Sequence, residues 1–129
     1  MKALITGASG GIGRDMARYL VSLGHSVIAV GRNEKKLEDL KKELGENNCE
    51  TIQCDVSVKE NVFSLYEKTK NENIDILINN AGFGAFGDFE TVPLEKELEL
   101  IDTNITALHI LTKLFYIDFM KKNSGYILN

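Results

Sequence analysis

The sequence predicts an α/β fold, a doubly wound parallel sheet truncated after about five strands. Three observations predict it. Short apolar runs alternate with stretches of helical periodicity along the 129 residues. The runs lack internal polar alternation, which marks strands covered on both faces. Glycine follows the last apolar position of the first two helical stretches, at Gly24 and Gly45, where a helix stops. Units of this spacing are βαβ crossovers, whose right-handedness places helices on both faces of the sheet.

Lys2 to Thr6 is the first strand. From Gly11 the period changes, and Ile12, Met16, Leu20 and Leu23 form the stripe of a first helix. Ser26 to Val30 is the second strand. Asn33 caps the second helix, Glu34 suits its first turn, and Leu37, Leu40 and Leu44 are its apolar stripe. Thr51 to Cys54 is the third strand. Ser57 and Glu60 fit a capping box that opens a third helix, with Val58, Val62, Leu65 and Tyr66 inward. Ile74 to Ile78 is the fourth strand, and Gly82 to Asp88 is a Gly and Phe loop. Pro93 opens a long helix to about Lys122, and Tyr126 to Asn129 begins a fifth strand.

On the long helix Leu94, Leu98, Ile101, Ile105, Leu108, Thr112, Phe115 and Phe119 form one stripe, and Leu100, Ala107, Leu111 and Leu114 a second. A helix apolar on two faces is buried on both. One face suits the sheet. The other requires a further helix or a second subunit, so the 94–122 helix predicts a homo-oligomer.

The formal net charge of −4 gives no electrostatic footprint for nucleic acid or for an anionic membrane. The only two cysteines, Cys49 and Cys54, have no nearby histidine, so they read as reduced thiols and no metal site is expected. The apolar stretch Ile105 to Met120 is broken by His109, Lys113 and Asp118 and does not read as membrane-spanning. His109 reads as core or interface filler. The N-terminus is too short in apolar residues for a signal peptide, and the chain reads as one cytoplasmic domain, residues 1–129.

In such sheets ligands bind beyond the carboxyl ends of the strands, which narrows the search to four segments. After strand one, Gly7, Ser9, Gly10, Gly11, Ile12 and Gly13 lead into a helix. Small residues there let a diphosphate approach the backbone, and the helix N-terminus faces it with free N–H groups. A tight turn without a ligand is the plain alternative. After strand two, Gly31 carries no acid for a ribose hydroxyl, and Arg32 beside it suits a 2′-phosphate. That favours NADP over NAD, unless Arg32 is simply a solvated side chain. Ser9, Asn33 and Lys36 are weaker helpers. After strand three, Asp55 can accept from an adenine amino group while Val56 packs on the ring, or Asp55 can merely help Ser57 cap the helix. After strand four, Asn79, Asn80, Ala81 and Gly82 leave room for ribose and nicotinamide, or form an ordinary turn.

Together these segments resemble the short-chain dehydrogenase/reductase family, over the whole chain. The Asn79-Asn80-Ala81-Gly82 segment resembles the compact, single-domain branch, since the extended branch usually carries a His-containing motif there. The resemblance implies a Rossmann-type sheet, a nicotinamide dinucleotide cofactor, for which Arg32 favours NADP, and hydride transfer between nicotinamide and a small carbonyl or alcohol substrate. It also implies a catalytic role for Asn104, which in the family distorts its helix and holds a water on a proton path. The family's catalytic Ser, Tyr and Lys have no counterparts up to Asn129. The expectation is therefore the N-terminal, cofactor-binding part of an oxidoreductase, inactive alone. The alternatives are a non-catalytic dinucleotide sensor or a remnant that binds nothing. Phe83, Phe86 and Phe89 either line a substrate pocket or pack.

Overall fold

Strand β1 (Lys2–Thr6) sits at the centre of a five-stranded sheet in a computed structural model that describes residues 1–129. Its neighbours are β2 (Ser26–Gly31) and β4 (Ile76–Ile78), with β3 (Cys49–Gln53) outside β2 and β5 (Tyr126–Leu128) outside β4. The order β3-β2-β1-β4-β5 is parallel throughout. Chain direction away from β1 reverses between β3 and β4, which opens a crevice at the carboxyl ends of β1 and β4.

The two-residue period of β1 divides the core. Leu4 packs with Ile28, Val30 and Leu77 toward helices α3 (Lys59–Thr69) and α5 (Leu108–Lys121). Ala3 and Ile5 point to the opposite face, with Val27, Ala29, Leu37 and Leu40, under helices α1 (Gly11–Ser22) and α2 (Glu34–Leu44). Burial on both faces explains why these strands lack polar alternation. Asn33 caps α2 as expected, its Oδ1 accepting from the Lys36 N–H at 2.9 Å.

Several expectations need correction. In α1 the inward face is Gly13 and Ala17 with Met16 and Leu20 beside them, while Ile12 and Leu23 are exposed. The helix lies close to the sheet, so small residues occupy its line of contact and the bulky stripe is displaced. The strand limits shift as well: β3 begins at Cys49, and β4 is paired only over Ile76–Ile78. The third helix has no capping box. It starts at Lys59 with Val58 as an uncapped N-cap, and Val58 is exposed. Ser57 donates instead, from both N–H and Oγ, to Asp55 Oδ1 at 3.0 and 2.7 Å. That local turn competes with the cap.

The long helix is three segments, α4 (Leu94–Ile101), a π-helical stretch Asp102–Ala107, and α5. Bonds from i to i+5 put more residues in that one turn, so the stretch shifts the phase of α5 relative to α4. Thr103, Ala107, Leu111, Phe115 and Phe119 therefore form the buried line. Phe115 and Phe119 belong with Ala107 and Leu111, not with Leu94 and Ile105 as the heptad-like spacing suggests. Leu94, Leu98, Ile101 and Ile105 remain exposed, and the exposed line continues through His109 to Tyr116 and Met120. His109 is thus not a core residue.

Candidate functional site

The crevice at the carboxyl ends of the strands holds a cleft of about 240 Å³ lined by thirteen residues. Eight of the cofactor candidates singled out in the sequence line it: Gly7, Ser9, Gly10, Arg32, Asp55, Val56, Ala81 and Gly82. Val30, Gly31, Cys54, Phe83 and Thr103 complete the wall. Gly11, Ile12, Gly13, Asn80 and Asn104 are not part of the lining. Gly13 and Asn80 stand behind it as support, Asn104 braces one side, and Ile12 projects into solvent.

The glycines divide into two kinds. Gly7 has φ +69° and lies against Ala81, so a side chain there would sit about 2.9 Å from the Ala81 Cα. A Cβ on Gly13 would press into the Asn80 amide and the Gly7 carbonyl. These two are required by packing alone. A Cβ on Gly10 or Gly11 would meet no atom within 4 Å. At Gly10 neither packing nor its extended backbone demands glycine, whereas Gly11 has φ +53°, which favours glycine by itself; the open space lies at the N-terminus of α1, where an anion is favoured.

Thr6 holds the wall together, and the sequence reading did not single it out. Its buried hydroxyl donates to the Ile78 carbonyl at 3.4 Å and accepts from the N–H groups of Asn80 and Ala81 at 3.1 and 3.0 Å. The Asn80 side chain returns to the Thr6 and Gly7 carbonyls at 3.1 and 3.3 Å. Asn79 Nδ2 reaches Thr112 Oγ1 and Asn129 Oδ1 at 2.9 and 2.8 Å, tying β4 to α5 and β5. The signal in the sequence is a hydroxyl residue closing the apolar run Ala3–Ile5.

At the other end of the cleft, Asp55 uses only Oδ1 for its turn, and Oδ2 makes no hydrogen bond within the chain. Val56 is buried beside it. Arg32 is exposed at the mouth, where its Nη1 donates to Glu99 Oε1 at 3.3 Å. Asn104 lies in the π-helical stretch and pairs with the backbone of Phe83, accepting from its N–H at 3.1 Å and donating to its carbonyl at 2.8 Å. The helix distortion implied by the resemblance falls at this residue.

Both thiols are protonated near neutrality: burial pushes Cys49 up to about 11 and raises Cys54 as well. No cluster of three ligand-type residues is present. No helix is long and apolar enough to cross a membrane.

A sequence model described as short chain dehydrogenase matches residues 1–129. The chain belongs to the short-chain dehydrogenase family. It is 37% identical over 134 residues to an NADP-dependent 3-hydroxy acid dehydrogenase of Salmonella typhi, covering 100% of this chain and 53% of the relative. Among solved structures it is similar to a bulky-bulky ketone specific alcohol dehydrogenase from Comamonas testosteroni, with TM-score 0.93, 31% identity, and 99% and 53% of the two chains covered. It is similar also to a short-chain dehydrogenase from Sphingobium yanoikuyae in complex with NADPH, with TM-score 0.92, 32% identity, and 98% and 51% covered. This short-chain dehydrogenase sequence thus spans about half the length of the curated relatives it matches.

Proposed function

We propose that residues 1–129 form the cofactor-binding domain of an NADP-dependent oxidoreductase that acts on a small carbonyl or alcohol. The observation that carries the reading is the cleft itself. Its floor carries Gly7 and Gly10, with open space at Gly10; one end carries Arg32 and Asp55, and the other end carries Ala81 and Gly82.

In this reading the backbone of Gly7, Ser9, Gly10, Gly11, Ile12 and Gly13 accommodates the pyrophosphate at the mouth of α1. The Arg32 guanidinium takes the 2′-phosphate through parallel N–H bonds, which places NADP ahead of NAD. Asp55 Oδ2 accepts from the adenine amino group and Val56 packs on the ring. Asn80, Ala81 and Gly82 lie along ribose and nicotinamide. The cofactor supplies the hydride, while the protein supplies position. Asn104 acts here as a positioning residue, since its amide is spent on Phe83.

General acid–base chemistry requires a proton donor at the nicotinamide end. None of the four tyrosines borders the cleft. Tyr19 and Tyr116 are exposed on α1 and α5, and Tyr126 opens β5 at the sheet's opposite end, opposite Ile76. Tyr66 donates to Asp118 at 2.6 Å, and that bond pushes its pKa up to about 12. Residues 1–129 by themselves therefore bind dinucleotide without turnover. The uncovered line from Leu94 to Met120 is the face on which a second copy would dock.

Fluorescence titration tests the reading. NADPH saturates the chain more tightly than NADH, Arg32→Asp reverses the order, and carbonyl reduction by this polypeptide stays well below ~1 s⁻¹. No saturable signal with either dinucleotide refutes the site. Unchanged relative affinities in Arg32→Asp refute the phosphate assignment.

A further inference from the structure

Arg32 is already engaged at the cleft mouth. Its partner, Glu99, sits on α4, 67 residues away in sequence, and no other carboxylate contacts the guanidinium. Lys96, one turn earlier on α4, lies 3.4 Å from the other oxygen of Glu99. The same ammonium lies 4.3 Å from the centroid of the Phe83 ring, which lines the cleft. On the Arg32 side, Gln53 donates to the Arg32 carbonyl at 3.0 Å and fixes the backbone from which the guanidinium projects. A charged relay thus runs across the mouth, from the end of β2 to α4 and on to the loop after β4.

We propose that Glu99 is a specificity-determining residue, whose carboxylate competes with a nucleotide 2′-phosphate for Arg32 and so lowers the discrimination between phosphorylated and unphosphorylated dinucleotides. The inference rests on the reading of the cleft as a dinucleotide site. The geometry sets the sign. A 2′-phosphate needs the N–H donors that face Glu99, and the two anions repel when both lie against one guanidinium. An unphosphorylated ribose makes no such demand and meets no such repulsion.

The geometry also sets the size. The pair is a single contact at 3.3 Å, with the Arg32 and Glu99 side chains 62% and 33% exposed. Exposed pairs of this kind are weak and salt-screened. A phosphate carries more charge than a carboxylate and meets the guanidinium with two parallel bonds. Glu99 is therefore displaced by the phosphate, and Lys96 retains it on α4. The residue tunes selectivity and does not abolish binding.

Calorimetric titration with adenosine 2′,5′-bisphosphate and adenosine 5′-monophosphate isolates the 2′-phosphate, and NADPH and NADH extend the comparison. Glu99→Gln keeps the side-chain shape and removes the charge. It tightens the 2′-phosphorylated ligands about two- to five-fold and leaves the unphosphorylated ones unchanged. The gain shrinks at about 0.5 M salt, where the screening length is only a few ångströms, and shrinks again when Arg32→Gln is combined with it. A thermal melt confirms that each variant folds. Equal change for both ligand types, or none for either, overturns the inference while the wild-type preference for NADPH leaves the site reading intact. If wild-type protein saturates with neither NADPH nor NADH, the site reading fails and this inference falls with it.

Discussion

Replacing Thr6 by Val removes one hydroxyl and keeps the shape of the side chain. The hydroxyl is buried and serves the N–H groups of Asn80 and Ala81 and the carbonyl of Ile78. Val offers no acceptor, so two backbone donors lose their partner. Each buried donor left unpaired costs roughly 1–3 kcal/mol. Asn80 and Ala81 are only half-buried, so water recovers part of the loss and the lower end applies to each. The sum is about 2 kcal/mol, against which the β-propensity of Val returns a few tenths at most. For a chain of this size 1 kcal/mol moves the melting midpoint by roughly 3–5 °C. Thr6→Val should therefore melt about 6–10 °C below the parent in a circular-dichroism scan. Thr6→Ser, which keeps the hydroxyl, should recover most of that. NADPH affinity should fall in Thr6→Val, because the same bonds hold Ala81 and Gly82 at the cleft. A Thr6→Val midpoint within about 2 °C of the parent, or a Thr6→Ser drop as large as that of Val, would show that the hydroxyl does not hold the wall.

The two kinds of glycine separate stability from binding. Gly13→Ala forces a methyl into the Asn80 amide and Gly7 carbonyl and should cost about 1–3 kcal/mol in urea unfolding. Gly10→Ala meets nothing and has an extended φ of −173°, so it should leave the urea midpoint in place while weakening NADPH binding; the opposite pattern would show that Gly10 is there for folding. Asp75 is held below the usual carboxylate range, first by the Lys2 N–H and then by the Lys122 side chain. Its folded pKa lies below the unfolded value of about 3.9, so its contribution is complete above that pH and is lost as pH falls through the folded pKa. Asp75→Asn should be less stable than the parent at pH 7, with the two melting curves converging below about pH 4; a gap independent of pH would count against the linkage. Light scattering at micromolar concentration should give an oligomer, and Ile101→Glu in the middle of the exposed line should give a monomer. A monomeric parent would contradict the proposed docking face.

Sequence alone determined the parallel α/β plan and the clustering of the candidate residues at one cleft, because both follow from local rules. Unalternated apolar runs mean strands covered on both faces, and glycine before a helix N-terminus marks the place where a backbone can meet an anion. Eight of the candidate residues proved to line one cleft for that reason. Only the tertiary structure decided which face each residue of the long helix presents, since six residues of π-helix change the residues per turn and carry Phe115 and Phe119 to the sheet. It alone decided that Ser57 serves Asp55 rather than the helix, that Ile12 faces solvent, and that Thr6 is the hub beneath Asn80 and Ala81. It alone brought Glu99 to Arg32. Contacts of this kind join residues far apart in the chain, and no local period or spacing encodes them.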